Sequence, residues 1–367
     1  MSNRSGALPD TMLRQYIEQD RITGAKPENV SPASLDLTLS EEVYVIDAFF
    51  LPQSGESVRE CLKNRSAQLV SLTTALQTNC LYLAKLNESL ELPEMVYGYC
   101  NPKSSTGRLD VHVRVLADGV GRYDSVTPKG FSGQLWVAIV PRSFSVLLHP
   151  GTPLTQLRLF TADTRLSEVE LEAELHDGLV WHPTEDRMML HADMAASDHD
   201  GSVMLTALIG EGISGYECIA RPGQVLDVAK ICHYESAEFF RPLEPHNGVI
   251  YLSRGRFYIL SGAERVRIPP TLASEMVSMD DRCGDFRSHY AGFLDPGWGW
   301  GADGEDKGRP FTLEVRPFED LAFRRGQPIA KIRFERMLRP PSVHYDSTSK
   351  LSHYVTQTGP KLGKQFK

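Results

Sequence analysis

The chain has 367 residues, of which 41% are apolar and 23% charged, and a formal net charge of −8. That length suits about two domains of about 100–200 residues each. The acidic balance argues against a broad nucleic-acid surface, which shows as a basic excess, and no apolar run reaches the roughly 18 residues of a membrane span.

The opening MSNRSGALPD lacks the apolar centre of a secretory signal, so the cytoplasm is the expected location. Six cysteines are scattered with no C-x-x-C pair, which reads as reduced thiols. Leu8–Ile22 is the best helical segment: Leu13, Tyr16, Ile17 and Ile22 recur at helical spacing, and Asp10 is placed to cap the start. Beyond it, short strand-like runs dominate: Leu35–Leu39, Glu42–Ile46, Cys80–Ala84, Leu135–Val140, Val146–Leu148 and Leu157–Phe160. Gly, Pro and Asn punctuate them, the pattern of a β-barrel or sandwich. A polar, small-residue stretch marks residues 176–202 as a linker. His191, Asp193, Asp198, His199 and Asp200 fall in or beside it at a spacing that suits no common metal site. Strand-like runs resume at Val203–Ile209, and from Arg339 the chain turns polar and basic.

An internal repeat relates the two sides of the linker. His149–Phe160 (HPGTPLTQLRLF) matches Arg324–Glu335 (RRGQPIAKIRFE), and Phe131–Pro141 precedes the first copy as Arg309–Pro317 precedes the second. The expected organisation is one domain over 1–175, the linker, a duplicate over 203–338 and a tail over 339–367.

Two segments carry candidate chemistry. Lys103-Ser104-Ser105-Thr106-Gly107-Arg108 combines hydroxyls, a small residue and a guanidinium, which suits phosphate oxygens or a plain polar turn. Glu314 sits within the apolar run Phe311–Val315. Strand alternation puts it with Thr312, opposite Phe311, Leu313 and Val315. It either faces a polar site, where burial would raise its pKa and suit it to proton transfer, or points to solvent.

These segments resemble dCTP deaminases of the trimeric dUTPase-like superfamily. Asn29–Leu39 resembles the family's opening strand and the segment before it the N-terminal helix. Lys103–Arg108 resembles the R-S-S-x-x-R segment, with Lys103 in place of the first arginine. Phe293-Leu294-Asp295-Pro296-Gly297-Trp298 resembles the R-I-D-P-G-W turn, with Phe293 in place of arginine. Thr312–Val315 resembles the strand of the catalytic glutamate. The resemblance implies a mainly β fold of two tandem dUTPase-like β-barrel domains with a few short helices.

It also implies deamination of dCTP to dUTP and ammonia without zinc. Glu314 would be the general base on a water attacking C4 of cytosine, and Ser and Arg side chains would hold that water and the developing charge. Lys103, Ser105, Ala291, Asp295 and Trp298 would contact substrate. Tyr345, Lys350, Tyr354 and Gln357 would close over the triphosphate, or else form a simple basic tail. Magnesium would accompany the triphosphate. His233-Tyr234-Glu235 matches the H-x-E of zinc deaminases, but no cysteine pair completes that site.

The copies diverge. Ala138 takes the position of Glu314 in the first half. In the second, one count aligns Ser278 and Arg282 with the hydroxyl–arginine segment, and another puts Asp280 and Asp281 in the hydroxyl positions. Either the second half uses Ser278 and Arg282 with Glu314, or Ser104, Ser105 and Arg108 meet Glu314 across the halves, the arrangement we favour because each copy keeps what the other lacks. The expected partner is a deoxynucleoside triphosphate, with no nucleic-acid polymer and no membrane, in a homo-oligomer (trimer or dimer) with sites at domain interfaces. A dUTPase or bifunctional deaminase–diphosphatase, or a non-catalytic nucleotide-binding regulator, are the competing functions.

Overall fold

The repeated segments form equivalent inner strands of two sheets. In the computed structural model, which describes residues 5–194, 198–221, 223–288, 290–347 and 357–367, Pro153–Phe160 lies between Leu35–Ile46 and Tyr97–Pro102. Its repeat, Pro328–Arg336, lies between Ser202–Thr206 and Leu272–Val277. All four pairings are antiparallel. A buried carboxylate clamp is duplicated too. Glu88 accepts from the Thr38 amide (2.9 Å) and hydroxyl (2.7 Å), and Glu264 accepts from the Thr206 amide (2.8 Å) and hydroxyl (2.6 Å).

The larger sheet of the first half continues through Leu81–Glu91 and Ser132–Pro141 to Val111–Ala117. The runs 35–39 and 42–46 are one strand, Leu35–Ile46, with a register shift between Leu39 and Val43 where Ser40 and Glu41 interrupt the alternation. In the second half, a five-stranded sheet places Thr312–Pro317 between Tyr258–Ser261 and Phe286–Arg287.

The helix near the start runs Asp10–Glu18. Pro9, not Asp10, is its N-cap, and Asp10 instead accepts from Ser342, its amide at 2.8 Å. Ile22 leaves the helix to pair with Leu90. The division of the chain also differs from the expected one. Ser167 and Glu170 form a capping box that starts the helix Glu168–His176, and Leu166, Leu171, Leu175, Leu179, Val180 and Met189 pack into the second core. Much of the expected linker, and the end of the expected first domain, therefore belongs to the second half's packing.

The halves interlock rather than hang on a tether. Ser145–Leu147 pairs in parallel with Val225–Asp227. Phe239, Phe240, Phe257, Tyr290 and Phe366 of the second half are buried in the core of the first. Phe366 belongs to the basic tail, and its neighbour Lys367 donates its amide to the Tyr234 carbonyl, so this end of the tail is packed. Among the described residues no helix is long and apolar enough to cross a membrane.

Candidate active site

Glu314 is buried, 1% exposed, at the centre of Thr312–Pro317. Leu313 and Val315 point into the second core, and the alternation turns the Glu314 side chain towards the first half. There it meets the short helix Ser104–Gly107. A Cβ on Gly107 would lie 2.9 Å from the Glu314 carboxyl carbon, so glycine lets the helix backbone approach the acid. The Glu314 carboxylate accepts from the amides of Tyr290 (3.1 Å) and Ala291 (3.4 Å). Burial pushes its pKa up to about 7, against the opposing pull of Arg108 and of the two amides.

Arg108, 2% exposed, organises the other wall. Its Nε donates to Ser104 Oγ (3.0 Å), Nη1 to the Lys361 carbonyl (2.8 Å) and Nη2 to Gln357 Oε1 (3.2 Å). Gln357 in turn donates to the Pro310 carbonyl (2.9 Å). Thr106 spends its hydroxyl on the Leu154 carbonyl (2.9 Å), while Ser104 and Ser105 stay partly exposed. Lys103 Nζ bridges both Asp36 oxygens at 2.5 Å.

Asp295 faces the same region: it accepts from Arg158 (3.3 Å) and Ser34 (3.4 Å). Burial raises its pKa against the pull of Arg158 and Lys103. Trp298 is buried with the Tyr345 ring centroid 5.2 Å away. Lys350 and Tyr354 lie outside the described residues.

The register separates the two counts for the second half. Arg158 is opposite Tyr99, and its repeat equivalent Arg333 is opposite Glu275. Counting on from that pair, Ser104 and Ser105 correspond to Asp280 and Asp281, Arg282 to Thr106, and Gly284 to Arg108. Ser278 corresponds to Pro102. Arg282 projects to the surface, where it pairs with Asp280 (2.6 Å) and Asp198 (3.4 Å). Glu314 is thus brought together with Ser104, Arg108, Ala291 and Gln357, while Arg282 lies in an ion-pair cluster of its own.

One layer of the site had no signal in the sequence. Asp110, fully buried at φ 53°, accepts from the Tyr290 phenol (2.9 Å), from Ser143 (2.5 Å) and from Arg316. Arg316 also donates to the Tyr290 phenol (3.2 Å). This network ties down Tyr290, whose amide holds Glu314. Among the described residues, the one group of side chains with metal-ligand proximity is Glu168, His191 and His199. His199 is hydrogen-bonded to Glu168 at 2.5 Å, and Asp198 and Asp200 pair with Lys331.

Comparison with known proteins shows the family. The N-terminal domain model of 2'-deoxycytidine 5'-triphosphate deaminase matches residues 4–163, and its C-terminal domain model matches residues 179–366. The chain belongs to the dCTP deaminase family. The crystal structure of 2'-deoxycytidine 5'-triphosphate deaminase from Agrobacterium tumefaciens is similar to it, with a TM-score of 0.81 and 33% identity. That match covers 93% of this chain and 100% of that one. No curated protein matches the chain.

Against the deaminase pattern, one departure is offset in space. Phe293 stands where the turn has arginine, and the guanidinium of Arg158 lies 4.2 Å from its ring centroid. Arg158 therefore brings a guanidinium from the first half to the turn that lacks one.

Proposed function

We propose that the protein deaminates dCTP to dUTP and ammonia, with Glu314 as general base. The observation that carries this reading is the buried Glu314 carboxylate facing the Ser104–Arg108 turn across the two halves. A base with a pKa near 7 is largely ionised at slightly alkaline pH and returns a proton readily, the compromise that general-base chemistry requires. Glu314 takes a proton from a water as its oxygen attacks C4 of the cytosine ring. The proton passes to ring N3, leaving a tetrahedral C4 that carries hydroxyl and amine. Glu314 then moves the hydroxyl proton to the amine nitrogen, the C4–N bond breaks, and ammonia leaves a C4 carbonyl beside a protonated N3. Ser104, held by Arg108, positions the water, and Arg108 supports the negative charge that develops opposite it.

Lys103, Ser105, Ala291, Asp295 and Trp298 form the substrate side of the site in this reading. The triphosphate enters as its magnesium complex, and Tyr345 and Gln357 contact it in this reading.

Incubation with dCTP and magnesium tests the proposal. Release of dUTP and ammonia, lost in Glu314→Gln, is the expected result. Appearance of dUMP and pyrophosphate would make the enzyme bifunctional. Absence of ammonia from both dCTP and dCMP would sink the reading and leave a nucleotide-binding regulator.

A further inference from the structure

A cavity of about 900 Å³ opens between the halves, and Glu314, Ser104 and Arg108 are not among the residues that line it. Its volume falls in the range of small-molecule pockets. Repeat-related positions face it from both halves: Tyr99 and its counterpart Glu275, and His112 and its counterpart Arg287.

The charge on one wall is poorly balanced. Arg287 Nη1 donates to His112 Nε2 at 2.9 Å, and Arg114 Nε donates to the same nitrogen at 3.3 Å. Two guanidinium groups thus converge on one neutral acceptor. His112 stays uncharged, its pKa pushed down to about 3 by burial and then by Arg287, Arg114, Arg142 and Arg316. Arg114 has a carboxylate, Asp124, at 3.1 Å. Arg287 has none within ion-pair distance among the described residues. Its guanidinium rests instead over the Tyr290 ring, 5.6 Å from the centroid. Arg122 rests likewise over Tyr99 (5.8 Å). Cation–π contacts of this kind hold the planar face of arginine and leave its N–H edge free to donate.

We propose that this cavity is a second binding site, distinct from the Glu314 site, for a phosphorylated small molecule whose phosphate is held by Arg287 and Arg114 with Arg122 at the mouth. Like charges that meet at a cavity wall repel, and a multiply charged anion removes that cost while giving each guanidinium a charge-assisted hydrogen bond. The cavity has room for more than the phosphate, and tyrosines beside it offer flat apolar surface to the rest of the ligand.

Inorganic pyrophosphate, titrated calorimetrically into the full chain in metal-free buffer, tests the site. The expected result is binding that weakens about tenfold or more in Arg287→Gln, as loss of a charged hydrogen bond implies, weakens in Arg122→Ala, and persists in Arg108→Met. Arg122 is exposed, so its variant decides the matter if Arg287→Gln fails to fold. No binding by the unaltered chain, binding unchanged in the folded Arg287 and Arg122 variants, or loss in Arg108→Met instead would each overturn the proposal. None of these outcomes depends on whether dCTP is the substrate of the Glu314 site.

Discussion

Arg158 and Glu335 form a buried ion pair between the halves: Nη1 lies 3.0 Å from Oε2, and the Arg158 side chain is 0% exposed. The same guanidinium reaches the carbonyls of Ser274 (3.1 Å) and Leu294 (3.0 Å) and the carboxylate of Asp295. Removing one member of such a group strands the others without water. Arg158→Met is therefore expected to cost about 3–5 kcal/mol of stability, measured by denaturant unfolding. Because Asp295 loses its orienting donor, KM for dCTP should also rise in whatever fraction folds.

The proposed role of Glu314 carries a pH signature. Its pKa stands at about 7 in the folded chain, raised from an ordinary 4.5 mainly by burial. A general base works deprotonated, so under the proposed mechanism kcat/KM should climb through pH 7 and level off above it. Stability runs the other way. The folded state holds this proton more tightly than the unfolded one, so the contribution is complete below pH 4.5 and is lost as pH rises through 7. The loss is on the order of 3 kcal/mol. Glu314→Gln should abolish turnover yet melt higher than the unaltered chain at pH 8, read by calorimetry across the pH range.

The two candidate arginines should separate cleanly. Arg108→Met removes the buried guanidinium that holds Ser104 and Gln357 and should lower kcat by about 100-fold or more. Arg282 is a surface side chain paired with Asp280 and Asp198, and Arg282→Ala should leave turnover and melting unchanged. The reverse result in steady-state assays would remove Ser104 and Arg108 from the proposed mechanism.

Asp110 acts at one remove, through Tyr290. Asn tolerates the left-handed backbone found there, so Asp110→Asn tests the charge and not the turn. It deprives Arg316 and the Tyr290 phenol of a charged acceptor, worth about 1.5–3 kcal/mol. The expected effect is a fall in kcat of about 10- to 100-fold with KM little changed, because Asp110 acts on the proposed base only through Tyr290, whose amide holds Glu314.

Much of the architecture was legible in the sequence because its signals are local. The Pro-apolar-x-x-apolar-Arg repeat sits on equivalent strands, and the alternation around Glu314 turned it away from Leu313 and Val315 as read. What escaped depends on distance. Ser167 and Glu170 spell a capping box, yet the polar run after His176 disguised a segment whose leucines pack against strands far along the chain. The choice between Ser278 and Asp280 needed strand register, which counting along the chain cannot supply. Asp110 gave no sign because its partners Ser143, Tyr290 and Arg316 are drawn from three separate segments. Asp10 looked like a cap, but Ser342, more than three hundred residues on, claimed its carboxylate.

Glu314 meets Gly107 within a single polypeptide, and this has a genetic consequence. Where identical subunits share sites, two different inactive variants can be mixed and some sites recover one intact copy of each part. Here an Arg108→Met chain and a Glu314→Gln chain each spoil their own Glu314 site, and mixing them should restore no turnover. The acid and the arginine are inherited as a linked pair, in cis. Drift at Ala138 and Gly284 is then no loss to this site, since neither position is asked to supply the partner its repeat still carries.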